Sequence, residues 1–176
     1  MEREIRMKRK SLVYLLAVAG LSALAWAAGK TAILHPEMTV ESGTYDKPMA
    51  TIGTKPDQPW SGTTVAAGVD GKPQPGKPIT MTGEVVDFSC YLQVGKHGEK
   101  HRSCGQKCIQ NGNAAGLLTK DGSLYMLMAE EHDPRRDGGV DLKAVAAEHM
   151  GHIVTVNGTE ASVNGYNAIF IQGLKK

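Results

Sequence analysis

Net positive charge is missing from this 176-residue chain once the first thirty residues are passed. Residues 1–30 carry six Lys/Arg against two Glu, residues 31–78 four against five acids, and residues 79–176 ten against eleven. A nucleic-acid-binding domain needs a basic stripe to neutralise phosphates, and the body of this chain offers none. Several motifs are missing as well. Without C-x-x-C-H there is no attachment site for c-type haem, and C-x-x-C of the thioredoxin kind is absent too. G-x-S-x-G, the P-loop and the dinucleotide fingerprint do not occur, and no nucleophile stands in an evident pattern with a base. A non-catalytic protein is the reading these absences favour.

Charge is missing altogether from residues 11–28, SLVYLLAVAGLSALAWAA, which follow Arg3, Arg6, Lys8, Arg9 and Lys10. Positive residues stay on the cytoplasmic side, so the rest of the chain is expected to be exported. Two readings of the run compete. Ala25-Trp26-Ala27 offers a small-residue cleavage site for a signal peptide. The length of 18 residues is close to what spans a bilayer, and Trp26 suits the interfacial belt. Length favours a retained anchor: residues 1–10 a cytoplasmic leader and 11–30 a single pass through a bacterial inner membrane. The lipid bilayer is then the first partner.

Regular structure is next excluded from residues 31–78. Seven of the eight prolines fall between Pro36 and Pro78, with glycines interleaved. Proline removes donors and glycine removes backbone preference, so an extended periplasmic spacer is expected. Its apolar content, Tyr45 and Trp60 included, exceeds what a purely solvating linker needs, so the segment is a candidate for lying along a partner protein.

Residues 79–176 carry the periodic patterns of one small domain. ITMTGEVVDF from Ile79 reads as a strand with a bend at Gly83, and Cys90 is placed at its end. Residues 99–110 form a helical candidate stopped by Asn111-Gly112. Residues 116–128 form a hairpin around Asp121-Gly122. Asp141 caps a helix with Leu142, Val145, Ala146, His149 and Met150 on one face. Residues 152–161 and 166–174 are two more strands joined at Asn164-Gly165. With the cysteine helix set aside as an insertion, three strands, a helix and two strands remain. This order resembles the OB-fold, a five-stranded Greek-key barrel. The expectation is therefore a mainly β, OB-fold-like barrel of five strands with one or two helices, behind a transmembrane helix and a spacer.

All the cysteines lie in one stretch, residues 90–108. On a helix His97, His101, Cys104 and Cys108 share a face, although Gly95 and Gly98 interrupt it before His97. Cys90, His101, Cys104 and Cys108 make a Cys₃His set suited to zinc or copper. The oxidising compartment offers another use, a disulfide from Cys90 to Cys104 or to Cys108 with one thiol left over. Cys104 and Cys108 themselves sit badly for bridging on one helix. A redox pair is the third use. The C-x-x-x-C spacing resembles the dinuclear copper loop of cytochrome oxidase subunit II, but Gly112 stands where that loop has histidine. Gly83–Asp87, Cys90-Tyr91, His101–Cys108 and Gly116–Tyr125 together resemble a group of small exported bacterial proteins with OB-like domains. That resemblance implies a fold and no settled activity.

Other polar residues have ordinary readings. His132 lies in a charged loop with Arg135 and Arg136, which are candidate partner contacts. His149 and His152 flank a helix end, where a cation suits the carbonyl dipole. Met126 and Met128 share one face of a strand. The functional expectation is an accessory subunit of a larger membrane complex, respiratory or photosynthetic. A copper- or zinc-binding delivery module is the alternative.

Overall fold

The computed structural model describes residues 40–60, 70, 72–129 and 142–173. Ser11 to Ala28, Trp26 within it, His132, Arg135, Arg136 and the Asp141 cap all lie outside the described residues. Among the described residues no helix is long and apolar enough to cross a membrane.

Among the described residues five strands close into a mixed barrel, and three helices accompany them. Strand β1 (Thr51–Ile52) precedes the barrel proper, which consists of β2 (Gly76–Asp87), β3 (Ala115–Thr119), β4 (Leu124–Ala129), β5 (Ile153–Val163) and β6 (Tyr166–Ile171). Helices α1 (Phe88–Val94) and α2 (Arg102–Gln110) lie between β2 and β3, and α3 (Leu142–Glu148) lies between β4 and β5. The order around the sheet is β5-β2-β3-β4-β6, and an additional β5–β6 pairing shuts it. The β4–β6 contact is parallel and the others in the barrel are antiparallel. The tiny β1 runs parallel to β5 at Thr155 and Val156, on an edge that β6 does not reach.

Strand β2 does the bending. Its first part pairs with β5 and its last part with β3, and Gly83 belongs to both ladders. A Cβ there would stand 2.7 Å from the Leu117 side chain and from the Leu118 carbonyl oxygen, so only glycine lets the two strands approach. Beyond the bend, Glu84, Val85, Val86 and Asp87 are all buried. Val85, Leu117, Val154, Val156, Ile169 and Ile171 fill the barrel, and Ile109, Ala146, Ala147 and Met150 continue that core under the helices.

Two expectations need correction here. The strand does not run to Cys90: it stops at Asp87, whose Oδ1 accepts hydrogen bonds from the backbone N–H groups of Ser89 and Cys90. That cap starts α1, and Gly95 at φ 66° ends it. Cys90 is thus a helical residue. Among the described residues the helices number three where one or two were expected, because a seven-residue helix with no buried face leaves no period in the sequence. The two glycine-containing turns are as anticipated: Asn164 (φ 51°) and Gly165 (φ 84°) join β5 to β6, and Asp121-Gly122 joins β3 to β4.

Residues 40–60 lie against the barrel. The Trp60 ring meets Phe170 edge-on at 5.0 Å between centroids, and its Nε1 donates to the Gln74 carbonyl at 3.1 Å. The Tyr45 hydroxyl donates to the Leu118 carbonyl at 3.4 Å. Burial, and next the Glu84 carboxylate, push that phenol up to about 12. Tyr45 and Trp60, two of the rings singled out as partner contacts, therefore make contacts within their own chain.

Candidate metal centre

The insertion between β2 and β3 places the cysteines at one end of the barrel. Asp87 arrives at the end of β2, Cys90 three residues on in α1, and Cys108 in the last turn of α2. One carboxylate oxygen of Asp87 and the sulfurs of Cys90 and Cys108 all lie within 4.8 Å of one another. Asp87 is fully buried and the two cysteines are half-buried. All three cysteines are free thiols in this structure.

Asp87 is held firmly. Besides the two α1 amides, the Asn113 side-chain amide donates to both of its oxygens at 3.4 and 3.3 Å. Burial pushes its carboxyl up. The hydrogen bonds from the Cys90 amide and from the Cys90, Asn113 and Cys108 side chains outweigh that and hold it below the usual range. The thiols respond in the opposite sense. Burial, then the hydrogen bond to Asp87, raises Cys90, and the same two causes push Cys108 up to about 11. Both sulfurs thus keep their protons at neutral pH and donate them to the carboxylate, until a cation arrives to displace them.

Of the four ligands anticipated, the structure brings Cys90 and Cys108 together and adds Asp87. Cys104 lies one turn before Cys108 on α2 and is exposed. His101 is buried, in the short 3₁₀ turn Glu99–His101 that leads into α2, and its Nε2 has no hydrogen-bond partner. Burial, then Lys96, lowers its ring below the ordinary range. Neither belongs to the converging set. For the disulfide, Cys108 rather than Cys104 is the thiol brought to Cys90. Asp87 escaped the sequence reading because a carboxylate just before a presumed strand end looks like any turn residue. The available signal was D-x-x-C, a side-chain cap followed at N3 by a thiol.

His97 stands apart. Its Nδ1 is 2.9 Å from Glu84 Oε2, deep in the protein, while the Gly98 amide donates to the other Glu84 oxygen. The Tyr91 ring lies edge-on to His97 at 5.8 Å. These contacts pin the loop between α1 and α2 to the barrel, and so fix the height at which Cys108 meets Cys90.

Two thiols and a carboxylate are chemically suited to zinc with one position open, or to copper through the soft sulfurs. Tetrahedral ligands at about 2.3 Å from an ion stand about 3.8 Å apart, so modest side-chain rotation closes the cluster. No family model, curated protein or solved structure matches this chain.

Proposed function

We propose that this protein is an exported, non-catalytic module that binds copper or zinc between Asp87, Cys90 and Cys108 on an OB-fold-like barrel, and passes the ion on. The convergence of those three groups within 4.8 Å carries the reading. The order β2-β3-β4, then β6 parallel to β4, then β5 closing on β2, with a helix before the fourth barrel strand, supports the OB assignment. The raised thiols support delivery over permanent storage. An ion must displace two protons to enter, so it is released again as acidity rises.

Metal analysis of protein purified without chelator tests this. An equivalent of copper or zinc that Cys108→Ser removes is the expected result. A mass two hydrogens below the reduced chain, with a Cys90–Cys108 bridge and no metal, overturns it.

A second reading is favoured by α1. Leu92 and Val94 are 64% and 63% exposed beside the cysteines, an unusual placement for two large aliphatic side chains on one short helix. In this reading the module is an accessory subunit of an inner-membrane complex, respiratory or photosynthetic, moored by residues 11–30. A mild-detergent pull-down recovers stoichiometric membrane subunits if so, and the lone protein if not. The two readings are compatible in one molecule.

A further inference from the structure

His149 and His152 face each other across a tight turn that packs on the barrel, away from any use in the cysteine cluster. The turn follows α3 and is closed by the His152 amide donating to the His149 carbonyl at 2.9 Å. Gly151 occupies its third position at φ 76°, where a side chain is strained, and a Cβ there would also stand 3.2 Å from the Gly98 carbonyl oxygen. Two more backbone bonds tie the turn to β2: Gly151 donates to Val85 at 2.8 Å, and Val85 donates to His152 at 2.9 Å. The backbone beneath the two rings is therefore fixed.

The rings meet nitrogen to nitrogen. The two Nδ1 atoms are 3.4 Å apart, with ring centroids at 5.6 Å and planes inclined at 61°. That separation is long for an N–H···N hydrogen bond. It matches the spacing of two imidazole nitrogens on one tetrahedral ion, about 3.4 Å for bonds of 2.0–2.1 Å. His152 is buried and His149 half-buried, so one ring is fixed while the other is reachable from solvent. A modest rotation of His149 aims both lone pairs at a common point.

We infer that His149 and His152 form a second metal seat, separate from the cysteines, for a borderline divalent ion of the zinc or copper(II) class. Imidazole is the ligand such ions share, and two held by a preformed turn lose little freedom on binding. Both rings are lowered, chiefly by burial, so both are neutral at physiological pH and no proton has to leave before a lone pair is offered. Glu148 and Glu99 bring negative charge to bear on the pair, and Arg102 opposes them. Solvent on the His149 side completes the coordination shell.

Equilibrium dialysis of the full chain against Zn²⁺ at neutral pH, in parallel with Co²⁺ spectroscopy, tests this seat. Cys90→Ser/Cys108→Ser is expected to retain one equivalent of zinc, and adding His149→Gln to abolish it. His149 is half-exposed, so the variant is expected to fold, with circular dichroism as the check. In the unsubstituted protein Zn²⁺ should also shift the His149 imidazole resonances. Equal zinc binding with and without His149→Gln, or none in the double serine variant, overturns the inference. The thiolate-to-cobalt charge-transfer band reports the cysteine cluster by itself. If that band is absent while the His149-dependent equivalent persists, the proposed function fails and the second seat stands.

Discussion

Glu84 and His97 form a buried hydrogen-bonded pair at 2.9 Å, their side chains 4% and 5% exposed. Glu84 also accepts from the Gly98 amide, so one carboxylate in the barrel wall holds two successive residues of the cysteine insertion. Glu84→Ala strips a buried imidazole and a buried amide of this acceptor. A loss of about 3 kcal/mol follows, read as a shift of the urea midpoint. The same variant should weaken metal binding, because the loop sets where α2 presents Cys108. Unchanged stability would show that the pair is not what anchors the insertion.

Asp87 separates charge from capping. Asp87→Asn keeps an acceptor for the α1 amides but removes the negative charge beside the thiols. Cys108 should then titrate below its present value of about 11, though not at an ordinary thiol value, since burial is the larger cause. Asp87→Ala also removes the cap, at about 1–2 kcal/mol. Thiol titration followed at the thiolate ultraviolet band distinguishes the two effects.

Metal affinity at the cysteine cluster should climb steeply with pH. Two thiols must each lose a proton, so the logarithm of the apparent constant gains about two per pH unit while both remain protonated. Alkylation should show the complementary order. The exposed Cys104 reacts first, and Cys108 labels only as pH approaches 11. Cys104→Ser should leave metal stoichiometry intact, and a lost equivalent would place its sulfur in the centre after all.

Trp60→Ala tests whether the stretch around it belongs to the barrel. The indole is 8% exposed and packs on Phe170, so truncation should cost about 3 kcal/mol. A tether that merely spans distance would tolerate the change without loss. The thermal midpoint decides between them.

His101 gives the acid limb a definite sign. Its folded-state pKa lies below the ordinary 6.5, so above that value the ring is neutral both folded and unfolded and stability is at its full level. As pH falls, the unfolded chain takes up a proton that the folded chain refuses, and stability drops until the folded-state pKa is reached. His101→Gln should flatten that limb in urea titrations between pH 7 and pH 5. A slope equal to the unsubstituted protein's would assign the acid sensitivity to other groups.

Much of this architecture is local chemistry and was legible as such. Asp121-Gly122 and Asn164-Gly165 specify their turns because few residues adopt positive φ without strain, and alternation in Ile79–Val85 specifies a strand. The element order pointed to a five-stranded barrel, and the structure has one. The metal centre was half legible: clustering of the cysteines drew attention to residues 90–108, but helical spacing selected His101 and Cys104 along with Cys108. Spacing along α2 records which side chains share a face. It carries no information about which part of that face meets α1.

Sequence by itself determined the five barrel strands, the helices α2 and α3, the turns and the grouping of thiols, because those depend on neighbours within a few residues. Tertiary structure decided the rest. Only closure of β5 on both β2 and β6, and the Glu84 anchor on the loop, brings Asp87 beside Cys108. The pairing of Val85 with the turn at Gly151 fixes that turn, and the two histidines on it, against the barrel. Contacts between residues far apart in the chain are set by how whole elements pack, and no local pattern encodes that packing.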